Sequence, residues 1–163
     1  MIRYCILGLL LFTLSACVNT SPITIKPTLG IEFAVPVETI DLIEMAENEL
    51  LLYRKQQLVG SMQRVPAPEP GKTAIESLKE GFKEAQKGTN KPSILSLPVG
   101  SYGFVVNTID FSTAFIATQN DTRNWVVVSI KKDQYDMLIE SLKLKARTSV
   151  KRPSQNPISL WGD

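Results

Sequence analysis

The sequence predicts an α+β fold: an antiparallel β-meander of three to four strands flanked by helices, preceded by a tether and an N-terminal amphipathic helix. Three observations predict it. Apolar residues recur at helical spacing over residues 38–59 and again over 73–87, which marks two amphipathic helices. Between residues 93 and 130 the composition shifts to β-branched and aromatic residues broken by turn chemistry, the signature of short strands. A last helical pattern starts at Asp133. With 163 residues, 44% of them hydrophobic and 21% charged, the chain has the composition of one globular domain and not of a disordered segment.

The first stretch is expected to be an export signal. Arg3 is followed by an almost wholly apolar run from Cys5 to Leu14, then by the small residues Ser15 and Ala16, the layout of a cleaved signal peptide over residues 1–16. The run breaks at Asn19, Thr20, Ser21 and Pro22, before the roughly twenty apolar residues that a spanning helix needs. Leu14-Ser15-Ala16-Cys17 resembles the lipobox of bacterial lipoproteins. The resemblance implies that the Cys17 thiol is joined to a diacylglycerol, that cleavage falls before it, and that the new amine is acylated. Two or three acyl chains hold a membrane firmly where one binds only marginally. Val18 stands where inner-membrane members carry Asp, so the same resemblance implies a lipid anchor in the outer membrane of a Gram-negative cell, facing the periplasm or the cell surface. Cys5 and Cys17 are the only cysteines. A processed chain therefore has no internal disulfide, and packing must supply its stability.

Residues 17–37 are expected to be the lipidated cysteine and a tether, since Pro22, Pro27 and Pro36 interrupt any helix. Residues 38–59 are expected to form the amphipathic helix. Ile43, Ala46, Leu50 and Tyr53 give its apolar face, acids crowd its first half, and Arg54 and Lys55 lie near its end. That face packs either on the protein's own sheet or on a partner helix. Residues 60–72, with Pro66, Pro68 and Pro70 alternating with single residues, predict a stiff extended linker.

The α+β domain is expected over residues 73–147. Its first helix opens on a capping box, Thr73 with Glu76, and buries Ile75, Leu78, Phe82 and Ala85; Gly81 weakens it by about 1 kcal/mol relative to Ala. Strands follow at 93–97, 103–109, 112–118 and 125–130, the last apolar on both faces and so suited to a covered central position. Asp133 is placed to cap a last helix to about Ala146, with Tyr135, Leu138, Ile139 and Leu142 facing inward. Residues 148–163 predict a basic, Pro-containing tail.

The composition excludes much chemistry. The chain has no histidine, which removes the commonest general base and metal ligand. The carboxylates Asp41, Glu44, Glu47 and Glu49 lack a companion ligand type or a calcium loop, so no metal site is expected. Ser77 and Ser141 each have a lysine two residues on, Lys79 and Lys143, a step that turns a helix by about 200° and points the pair apart. Asp110 and Asp121 lie near strand ends and are the candidates for glycan hydrolysis by carboxylates alone. No catalytic residue, cofactor, nucleic acid or small-molecule substrate is expected. Lys143, Lys145, Arg147, Lys151 and Arg152 follow one another without an acid between Glu140 and Asp163. They either complement a helix C-terminus or contact an anionic surface or partner. The expected function is contact: a membrane-anchored envelope lipoprotein, accessory or structural in a multi-protein assembly for secretion, conjugation or outer-membrane work. An immunity, exclusion or inhibitor lipoprotein is the alternative, and a carboxylate-based glycan hydrolase a lesser one.

Overall fold

The segment 38–59, whose spacing predicts a helix, runs instead as strands. The structure, a computed structural model, describes residues 21–67 and 70–144. The chain order is β1 (Ile23–Thr28), β2 (Ile31–Val35), β3 (Leu42–Ala46), β4 (Glu49–Arg54), β5 (Gln57–Pro66), then α1 (Ala74–Ala85). After it come β6 (Pro92–Ile94), β7 (Ser101–Asn107), β8 (Phe111–Thr118), β9 (Asn124–Lys131), α2 (Lys132–Glu140) and β10 (Leu142–Leu144). A seven-stranded sheet has the order β3-β4-β5-β9-β8-β7-β6, and a three-stranded sheet the order β1-β2-β10. The described chain is mostly β and sandwich-like, which corrects the expected α+β meander of three to four strands.

Two hairpins replace the first expected helix. Ile43 pairs with Leu52, Leu52 with Gly60, and Leu50 with Met62, so these apolar residues share one sheet face. Their spacing fits a pleat as well as a helical stripe. What the sequence lacks is turn chemistry, because Glu47 (φ 50°), Lys55 (φ 48°) and Gln56 (φ 63°) adopt positive φ without glycine or asparagine. Positive φ at both central residues is the backbone of a type I′ hairpin turn, and Lys55–Gln56 supplies it between the paired residues Arg54 and Gln57. The Asp41 carboxylate steadies that turn by accepting from the Lys55 N–H at 2.7 Å.

The expected tether is also strand. Ile25, Ile31, Phe33 and Val35 are buried, and they cover the inner face of the large sheet at Leu52, Met62, Ile116, Val126, Val128 and Ile130. The first half of the expected linker belongs to β5, which lies between β4 and β9 within the large sheet. Gly60 lets these backbones approach: a Cβ there would lie 2.4 Å from the Ser129 carbonyl oxygen.

The α1 capping box is present in both directions, with the Glu76 N–H donating to Thr73 Oγ1 at 3.2 Å and the Thr73 N–H to Glu76 Oε2 at 2.8 Å. Strands β6 to β9 fall on the four predicted segments. The last helix is shorter than expected. Lys131, not Asp133, stands at its N-cap, and no side chain caps it. It stops at Ser141, whose Oγ donates to the Leu138 carbonyl at 2.6 Å, and the chain turns into β10, where Leu142 pairs with Phe33. A second, smaller core lies on the opposite face of the large sheet, where Ala74 and Leu78 of α1 meet Phe104 and Ala117. Among the described residues no helix is long and apolar enough to cross a membrane.

Candidate functional site

Asn120-Asp121-Thr122 predicts a turn, and the turn between β8 and β9 holds the most heavily bonded carboxylate of the described residues. Asp121 is 8% exposed. It accepts from Thr28 Oγ1, from Asn124 Nδ2 at 2.9 and 3.0 Å, and from the backbone N–H groups of Arg123 and Asn124, each at 3.1 Å. Burial pushes its pKa upward, but the donors from Thr28, Asn124 and the two amides outweigh that push and hold the carboxyl below its ordinary value. Thr28 ends β1, so this carboxylate ties the small sheet to the large one. A second tie runs from Thr118 Oγ1 to the Leu29 carbonyl at 3.1 Å. Gly30 closes the β1–β2 turn at φ +81° with Asn120 packed against it, 2.4 Å from where a Cβ would be.

Above this cluster the two sheets part. A cleft of about 630 Å³ is lined by Lys26, Leu29, Glu32, Arg64, Asp121 and Arg123, among others. A neighbouring cavity of about 580 Å³, sharing Lys26, Arg64 and Asn124 with the first, reaches Met45 and Leu50. Arg64 lies 3.9 Å from Asp121 with most of its side chain exposed, and Lys26 lies 3.7 Å from Glu32. Arg123 is exposed and has no ion-pair partner among the described residues.

A different concavity, about 400 Å³, lies between α1 and the large sheet. Its walls are apolar, from Leu78 and Ala85 on the helix to Phe104, Phe115 and Trp125 on the sheet. Phe104 stacks on Phe115 with centroids 4.7 Å apart and meets Phe82 edge-on at 5.5 Å. Ser77 Oγ is buried there without a hydrogen-bond partner. A Cβ on Gly81 would meet nothing within 4 Å. Gly81→Ala should therefore stabilise the protein by about 1 kcal/mol, read as a rise of about 4 °C in the thermal midpoint; an unchanged midpoint would mean the helix adds nothing to global stability.

The other sequence candidates disperse. Asp110 sits exposed in the β7–β8 turn, and β8 separates it from Asp121, a length of about 25 Å for eight residues. Retaining and inverting hydrolases hold their carboxyls within about 10 Å, so this pair is no hydrolytic dyad. Ser77 Oγ is unpartnered and Ser141 Oγ donates to Leu138, while Lys79 lies over the Tyr102 ring at 5.8 Å; neither serine meets a lysine. Asp41, Glu44, Glu47 and Glu49 are spread along the β3–β4 hairpin and its approach. No group of described residues is placed to hold a metal ion. Lys143 is exposed on β10, whereas Cys17, Lys145, Arg147, Lys151 and Arg152 lie outside the described residues. Sequence reasoning missed Thr28, Arg64, Arg123 and Asn124. Only Asn120-Asp121-Thr122 gave a signal, as a turn.

No family model matches the chain, and no curated protein matches it. Among solved structures, a crystal structure of a protein from Bacteroides thetaiotaomicron VPI-5482 is similar at 11% identity and a TM-score of 0.42. The similarity covers 78% of this chain and 50% of that one, so the chain spans about half that protein's length.

Proposed function

We propose that this chain is a lipid-anchored protein of the bacterial envelope that works by protein contact, as an accessory or structural component of a multi-protein assembly. The observation that carries the reading is Leu14-Ser15-Ala16-Cys17 after an apolar run with a single cation. The thiol is the nucleophile that lipid transfer needs, and the small residues give a peptidase access to the bond. Five residues separate Cys17 from β1, a reach of about 20 Å at full extension, which keeps the sandwich beside the bilayer. Val18 favours the outer membrane.

Cys17→Ser tests the anchor. The wild-type chain is expected in the membrane fraction with the added mass of acyl groups; the variant is expected soluble or unprocessed, without that mass. Equal masses and equal membrane residence would defeat the reading. Crosslinking in the native host then tests the assembly: co-purification with several membrane proteins supports it, and recovery of the chain alone or with one soluble enzyme counts against it.

A further inference from the structure

The cleft between the sheets holds three cations, Lys26, Arg64 and Arg123, against two carboxylates, Glu32 and Asp121. Asp121 is already engaged by Thr28, by Asn124 and by two backbone amides, and Glu32 has Lys26 at 3.7 Å. Arg64 touches Asp121 only at 3.9 Å and is 58% exposed. Arg123 has no ionic partner among the described residues. A guanidinium presents paired donors that fit a carboxylate in a bidentate fork. Two of them line one cleft with the Asn124 amide between two adjoining cavities. Apolar side chains flank this cationic centre: Leu29 is 70% exposed in one cavity and Met45 76% in the other.

β1 enters the sandwich at Ile23 and reaches the cleft at Thr28, a path of about 20 Å for six residues. The cleft is thus at the end of β1 farther along the chain from Cys17. Two cavities that share Lys26, Pro27, Arg64 and Asn124 in their walls, each with apolar and cationic side chains, suit an extended chain better than a lone ion.

We propose that this cleft is the contact site of the protein and that it binds an acidic segment of a partner protein, carboxylates on Arg64 and Arg123 and apolar side chains on Leu29 and Met45. The proposal rests on the contact function above, but its test does not need the anchor. The probe is a synthetic peptide of alternating glutamate and leucine, titrated into the full chain in detergent and followed by calorimetry. A glutamine-for-glutamate peptide, inorganic phosphate, and anionic vesicles mixed with the Cys17→Ser chain serve as comparison arms.

Binding of the acidic peptide, about tenfold weaker in Arg123→Gln and weakened less in Arg64→Lys, which keeps the charge and loses the fork, is the expected result. Among the described residues the Arg123 guanidinium has no bonding partner, so its variant should melt like the wild type and keeps the test clear of misfolding. Equal affinity for the glutamine peptide, no affinity for either peptide, or an unchanged affinity in Arg123→Gln would overturn the proposal. Phosphate alone binding as tightly would reassign the cleft to a free anion. Vesicle binding lost in Arg123→Gln would reassign it to lipid headgroups. Fractionation of Arg123→Gln should match the wild type, so failure here and failure of the anchor are separately visible.

Discussion

Phe33→Ala is expected to cost about 4 kcal/mol, the usual loss for emptying a fully buried phenylalanine site. Phe33 is 0% exposed and lies in β2, the central strand of the three-stranded sheet, paired with Ile25 on one side and Leu142 on the other. Its ring faces the main core, where Leu52, Met62, Val128 and Leu138 also reside. Replacement leaves a void that a sheet pinned on both edges cannot close. Urea unfolding measures it as a lower midpoint at unchanged slope. A cost under about 1 kcal/mol would show that residues 23–35 behave as a mobile arm and not as half of the sandwich.

Asp121→Ala is expected to cost about 3 kcal/mol at neutral pH, because the donors it serves lose a charged acceptor. Thr28 Oγ1, the Asn124 amide and the backbone N–H groups of Arg123 and Asn124 are left without it. The pH dependence follows from the lowered pKa. A carboxyl held below its unfolded value contributes fully above that value, about 3.9. The contribution is lost as pH falls through the still lower folded value. The gap in stability between wild type and Asp121→Ala should therefore be widest near neutrality and shrink as the solution is acidified below about pH 4. A gap that stays constant with pH would mean that the bonds to this group are independent of its charge.

These two residues also show what was legible. Helix α1 could be read because its signals are local: Thr73 and Glu76 are three positions apart, and the buried stripe follows directly. Strands β6 to β9 were legible for the same reason, each bounded by turn residues. The β3–β4–β5 meander was not, because Lys55-Gln56 and Glu47 take turn conformations that their side chains do not advertise. Ile43, Leu50 and Leu52 satisfy a helical stripe and a pleated face alike. Phe33 reads as part of a tether because its strand partner Leu142 arrives only at the far end of the domain. The site was half visible. Asp121 stood out as an acid in a turn, but its bond to Thr28 spans 93 positions, and nothing near Arg64 marks it as sharing a cleft with Arg123.

Among the described residues the large sheet does not close on itself and ends in two borders without a strand partner, β3 and β6. Such rows of vacant amides invite another chain to add itself and propagate a fibre. One border is only three residues long and begins with Pro92, which has no N–H to offer. The other carries Glu44 midway and turns at Glu47, so a second copy laid alongside in antiparallel register would bring like charges together. Neighbouring copies can therefore stay separate at these borders, each sandwich keeping its own strands.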